Sequence, residues 1–120
     1  MKTRATEKTI SQLLRTLGQP ARLQILLAIG KGEACVCHLE AVLGLRQAYI
    51  SQHLMALRKA KILQTRREGR YIFYRLKDPK ILDLVHLAGE VTSTAVPIRP
   101  LFTEATFVAD CVCPTCAPAA

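Results

Sequence analysis

Apolar residues recur at helical spacing along most of the chain. Ile10, Leu13, Leu14 and Leu17 fall three and four apart and Gly18 stops the run, which predicts an amphipathic helix over about residues 5 to 17. Pro20 suits the first turn of a second helix, where its missing N–H costs nothing. That helix buries Leu23, Leu26, Leu27 and Ile29 and ends at Gly30-Lys31-Gly32. A short third helix covers about Val36 to Leu43 and stops at Gly44. After Leu45-Arg46, a fourth helix runs from Gln47 to about Lys61. It turns Ile50, Leu54 and Leu57 inward, and Ala48, Gln52, Met55 and Lys59 outward with Tyr49 at the edge. Two helices joined by a short Gly-containing turn, the second polar and basic on its outer face, form the helix-turn-helix pattern.

The period then changes. Residues 62 to 67 and 70 to 76 are β-branched and aromatic and are separated by Glu68-Gly69, predicting a hairpin with a glycine at its tip. Asp78 and Pro79 open a last helix, to about Val91, with Ile81, Leu82, Val85 and Ala88 on one face. The fold class expected is therefore mainly α with a β-hairpin wing, a winged helix-turn-helix occupying residues 1–93. Residues 94–120 form a cysteine-containing C-terminal tail. Pro97, Pro100, Pro114 and Pro118 rule out one continuous helix there, and its apolar residues need a surface to pack on. Neither an internal repeat nor a low-complexity tract is present.

Charge sharpens this picture. The whole chain of 120 residues carries a formal +8, and the stretch from Arg46 to Lys77 alone accounts for it, with nine basic residues against the single acid Glu68. Such a concentration over the fourth helix and the wing is the electrostatic footprint expected of a nucleic-acid partner, with a solvated basic face or an anionic-membrane patch as the alternatives that charge alone leaves open. With half its residues hydrophobic, the chain is not disordered as a whole. The N-terminus lacks the apolar core of a secretory signal, and no apolar run approaches the roughly 18 to 20 residues that span a bilayer. A cytoplasmic protein is expected, with no membrane partner. Five cysteines in a reducing compartment point to metal ligation or redox chemistry rather than a disulfide framework. No residue set resembles a catalytic triad, a carboxylate pair or a phosphate loop, so the chain does not read as an enzyme.

Particular motifs resemble one family. Leu17-Gly18-Gln19-Pro20-Ala21-Arg22-Leu23-Gln24-Ile25-Leu26 is similar to the helix-two opening of the ArsR/SmtB repressors, and Ala34-Cys35-Val36-Cys37-His38-Leu39 resembles their Cys-Val-Cys metal box. Tyr49-Ile50-Ser51-Gln52-His53-Leu54 and Arg67-Glu68-Gly69-Arg70-Tyr71 resemble their recognition helix and wing. The resemblance covers about residues 8 to 92. It implies a homodimeric repressor, paired through its first and last helices, that leaves operator DNA when a metal or metalloid binds.

On this reading Gln47, Ala48, Tyr49, Ser51 and Gln52 enter the major groove, where Gln pairs with adenine and hydroxyls with several base edges. Ser51 has a competing use in a local helix bond. His53 stands at a phosphate-contact position of the family but reads rather more as a structural residue. Arg66, Arg67 and Arg70 contact phosphate or the minor groove from the wing and set affinity rather than sequence.

Cys35 and Cys37, two apart, do not share one face of an ideal helix, so gripping one ion requires an extended or distorted helix start. A helix N-terminus also favours the thiolate that a metal needs. The arsenite-type box of the family adds a cysteine where this chain has Glu40, and the N-terminal arm that serves cadmium- and lead-type relatives has none here. The missing thiolates are assigned to Cys111, Cys113 and Cys116. Such a set suits Cd(II), Pb(II) or Zn(II), with As(III) next, and selects against Mg(II), Ca(II) and Mn(II). The alternatives are that Cys35 and Cys37 are small buried apolar residues and that the tail trio is an incidental exposed cluster. The family's other metal site, on the last helix, is rejected because Lys80 and Val91 stand where histidines are needed, although Asp78 matches. Asp83, His86 and Glu90 are read as surface or interface residues, and His38 as solvent-exposed rather than a fourth ligand.

Two other readings remain open at this point: a repressor switched by thiol oxidation or persulfidation, and a small thiol-rich metal-storage or redox protein. Cys113-Pro114-Thr115-Cys116 has the spacing of a redox motif, but lacks the βαβ surroundings of a disulfide oxidoreductase.

Overall fold

Leu26, Ile29, Ile50, Leu54 and Leu57, which helical spacing marks as apolar faces, are fully excluded from solvent in the computed structural model. It describes residues 2–93, with side chains from residue 5. The order is α1 (Lys2–Leu17), α2 (Pro20–Ile29), β1 (Glu33–Cys35), α3 (Val36–Leu43), α4 (Gln47–Lys59), β2 (Leu63–Glu68), β3 (Tyr71–Leu76) and α5 (Lys80–Val91). Helices α2, α3 and α4 pack on one another around Ile25, Leu26, Leu39, Ile50 and Leu54. Leu82 of α5 and Leu63 and Leu76 at the foot of the wing close the same core.

The wing departs from the expected hairpin. It is a three-stranded antiparallel sheet in the order β1-β3-β2, because Glu33, Ala34 and Cys35 pair with Arg75, Tyr74 and Phe73. The hairpin itself is as expected. Glu68 faces Tyr71 across a two-residue turn, with Gly69 at φ +61° and no positive φ at Arg70, the signature of a type II′ turn with glycine first.

Two helix ends also differ. α1 starts at Lys2 rather than near residue 5. α4 stops at Lys59 rather than Lys61, because Lys61 adopts φ +62°. The Ile62 N–H then bonds to the Leu57 carbonyl (3.0 Å), and the Lys61 N–H to that of Arg58 (3.0 Å). This is a Schellman ending with lysine in the usual glycine position, held by the burial of Ile62 beside Leu57. At α5, Asp78 Oδ1 accepts the Lys80 N–H (3.0 Å), which gives this carboxylate a capping role.

Candidate DNA interface and thiol pair

α4 is anchored by Ile50, Leu54 and Leu57, so its other side must face outward. Gln47, Ala48, Tyr49 and Gln52 are exposed and Ser51 is half-buried, all on the first two turns. On the wing, Arg67 and Arg70 flank the exposed tip at Gly69. The start of α4 and the wing tip are thus both free to meet a duplex, the geometry by which this motif reads a groove and grips the adjoining backbone.

Two of the expected DNA contacts are otherwise engaged. His53 is only 7% exposed, and its Nδ1 accepts a hydrogen bond from Arg22 Nε (3.1 Å). Arg22 also donates to the Thr16 carbonyl (2.9 Å), and Tyr49 meets the imidazole edge-on with ring centroids 4.6 Å apart. His53 therefore ties the recognition helix to the end of α1 and the start of α2. Arg66 is exposed but held by Glu33: its Nε donates to both carboxylate oxygens (3.1 and 3.2 Å), and Nη2 donates to Oε1. Hydrogen bonding to Glu33 raises the Arg66 pKa, and the guanidinium also lies 4.6 Å from the centroid of Phe73. No local sequence signal links Glu33 to Arg66 or Arg22 to His53, since both pairs span more than thirty residues.

Burial and the charge of Arg22 push the His53 pKa down, in that order. With Nδ1 accepting, the neutral ring carries its proton on Nε2, and protonation would set a second donor against Arg22. The native state thus binds fewer protons than the unfolded chain below the unfolded-state value of about 6.5. This stability is complete above that pH and is lost as pH falls through the folded pKa. We expect urea unfolding to show stability falling below pH ~6.5, by at most about 1.4 kcal/mol per pH unit for this group. His53→Gln should flatten the profile, and an unchanged slope in that variant would contradict the assignment. Burial pushes the His38 pKa down too, so a part of the slope should survive.

The cysteines meet the expectation for an extended helix start. Cys35 ends β1 and is the N-cap of α3 at φ −87° and ψ 168°, and Cys37 is the second residue of the helix. Their Sγ atoms are 3.1 Å apart and no disulfide joins them. Cys35 is buried against Phe73, with Cys37 and Tyr71 packed on the same cluster. His38 is not solvent-exposed as expected: it is 1% exposed, because it shares with Leu39 the face that α3 turns inward. Among the described residues no group of three or more His, Cys, Asp or Glu side chains is placed to hold a metal. The two sulfurs suit a soft ion as part of a larger set, while Cys111, Cys113 and Cys116 lie outside the described residues. Asp83 and Glu90 are exposed, and no described helix is long and apolar enough to cross a membrane.

The comparisons with known proteins agree with this geometry. Residues 19–65 match the model of the arsR family of bacterial regulatory proteins. A biofilm growth-associated repressor of Agrobacterium fabrum is 48% identical over 85 residues, covering 71% of each chain. An arsenic resistance transcriptional regulator of Pseudomonas putida is 50% identical over 56 residues, 47% of this chain and 43% of that one. Among solved structures, the homodimeric winged helix-turn-helix DNA-binding domain of a possible ArsR-family regulator from Mycobacterium bovis superposes with a TM-score of 0.67. The two are 27% identical, and the match covers 75% of this chain and 83% of that one.

Proposed function

The chain belongs to the ArsR family of bacterial regulatory proteins, DNA-binding transcriptional repressors rather than enzymes, and from that membership we propose a homodimeric repressor switched at its thiols. A soft metal or metalloid, with Cd(II), Pb(II) or Zn(II) ahead of As(III), binds Cys35 and Cys37 and lowers the hold on operator DNA. Cys111, Cys113 and Cys116 complete the ligand set.

The observation that carries this reading is the 3.1 Å approach of two thiols at the joint between β1 and α3. That joint abuts both DNA-facing parts: β1 pairs with the wing strand β3, and α3 packs directly on α4. Soft ions supply strong, sulfur-selective bonding. The chain's own part is to present two sulfurs together and to link their backbone to the reading surface. Pairing of protomers through α1 and α5 is supported by the apolar side chains these helices leave exposed, Ile10, Leu14, Leu87 and Val91. An apolar groove between the helices, lined by Leu14, Leu23, Leu27 and Leu84, supports it as well. Such patches mark association surfaces.

The proximity of the sulfurs also favours a second reading, in which oxidation or persulfidation of the pair is the signal. One titration separates the two. Reduced protein on its own promoter DNA is titrated with Cd(II), Pb(II), Zn(II) and As(III), following thiolate-to-metal absorption together with DNA release. We expect release by at least one ion, weakened at least tenfold by Cys35→Ser or Cys37→Ser. Release by an oxidant but by none of the ions would replace the metal reading with the second. A full response after joint substitution of Cys111, Cys113 and Cys116 by Ser would remove the tail from the site.

A further inference from the structure

Across the sheet, Cys35 of β1, Phe73 of β3 and Arg66 of β2 stand directly opposite one another in one row. Residues opposed in this way project from the same face of the sheet. Glu33 lies two residues before Cys35 on that face and spans the row to reach Arg66. The face therefore carries a small second core: Cys35 and Phe73 are buried, Cys37 and Tyr71 pack beside them, and the Arg66 guanidinium roofs the ring.

We propose that the Glu33–Arg66 ion pair seated on Phe73 is the coupling element that carries the state of the Cys35/Cys37 thiols into the wing, with Glu33 and Arg66 as positioning residues. The proposal rests on the thiol switch described above and names how its signal travels.

Three observations support it. First, the sulfurs sit closer than two ligands of one ion, which lie about 3.8 Å apart for bonds of about 2.3 Å at a tetrahedral centre. Ligation must spread them. Second, Cys35 has no slack in which to move, since it is 3% exposed and the opposing Phe73 ring 0%. In a close-packed cluster a displacement of some tenths of an ångström is passed on rather than absorbed. Third, the next group along the row is Arg66, held on the ring by a carboxylate from the same three-residue strand as Cys35. Movement at the end of β1 is thus delivered to β2 twice, through the ring and through Glu33. Arg67, the next residue on β2, stands among the exposed arginines of the wing tip.

Coupling between two sites is reciprocal. Loosening the ion pair must therefore change the thiols even when no ion is bound, which gives a test independent of metal response. The full-length protein is compared with Glu33→Gln and Arg66→Lys, the second keeping the charge while losing the fork and the planar stacking on the ring. Metal-free DNA affinity, DNA release by Cd(II), cadmium–thiolate absorption and the alkylation rate of Cys37 in metal-free protein are measured. We expect both variants to hold DNA within about threefold of the parent and to keep the cadmium absorption. Release should weaken at least tenfold and the alkylation rate change at least threefold. Undiminished release and unchanged alkylation in Glu33→Gln would overturn the proposal. So would a tenfold loss of metal-free DNA affinity in Arg66→Lys with full release by Cd(II), which would make Arg66 a phosphate-binding residue. If the parent itself shows cadmium absorption but no release, the thiol switch fails and the coupling falls with it.

Discussion

Raising the salt concentration from about 50 to about 200 mM is expected to lower operator affinity by about a thousandfold or more. Binding that neutralises Z phosphates displaces their condensed counterions, so log K falls with log salt at a slope of about −0.9Z. Arg46 at the start of α4 and Arg67 and Arg70 at the wing tip are exposed and stand beside the reading surface. Arg66 does not add to these, since Glu33 holds its guanidinium. If the proposed homodimer uses these three side chains in each protomer, about six phosphates are neutralised, the lower end of the range for which losses of about 10³ to 10⁵ are expected over this interval. Fluorescence anisotropy on labelled promoter DNA across a salt series reads the slope directly. Arg67→Ala should make it shallower by about two, because one phosphate per protomer is no longer neutralised, with affinity falling alike on operator and unrelated DNA. An affinity that does not move with salt would contradict this account of the basic segment.

The helical skeleton was legible because it obeys simple periodicity. Ile50, Leu54 and Leu57 mark the buried side of α4, and Pro20, Gly18 and Gly44 punctuate the ends of α1, α2 and α3. Gly69 announced the hairpin turn through the positive φ that it supplies. β1 was not legible: Glu33-Ala34-Cys35 is too short to alternate, is not rich in β-branched residues, and becomes a strand only by pairing with β3. Lys61 hid the end of α4 because its positive φ is imposed by burial of Ile62, whereas the common signal there is glycine.

At the candidate site, residue types were readable but their neighbours were not. Cys35 and Cys37 stood out by spacing, and the extended helix start follows from what that spacing demands. That His38 turns inward, that His53 answers Arg22 and that Arg66 answers Glu33 are consequences of the tertiary fold. His38 and Arg66 read as solvent- or DNA-facing and are instead engaged within the protein, whereas His53 read rather more as structural and only its partner was hidden. A lone sequence carries no measure of that, because hydrogen-bond partners distant in the chain leave no periodic trace.

The largest effect on the protein itself is expected from Leu54→Ala, at about 3 to 5 kcal/mol of unfolding free energy. Leu54 is fully buried on α4, within the cluster that joins α2, α3, α4, the foot of the wing and α5. Truncation removes its transfer free energy and leaves a cavity. The surrounding helices cannot close that cavity freely, because Ile50 and Leu57 fix the same helix on either side. Domains of this size have about 5 to 15 kcal/mol in total, so this one substitution removes a large part of the margin. Urea denaturation should show the midpoint falling with little change in slope, the mark of lost stability rather than altered compactness. Met55, the next residue, is 64% exposed on the other side of the helix, and Met55→Ala should cost less than about 0.5 kcal/mol. Equal losses at the two positions would mean that the inward and outward faces of the recognition helix have been assigned wrongly, and the DNA interface with them.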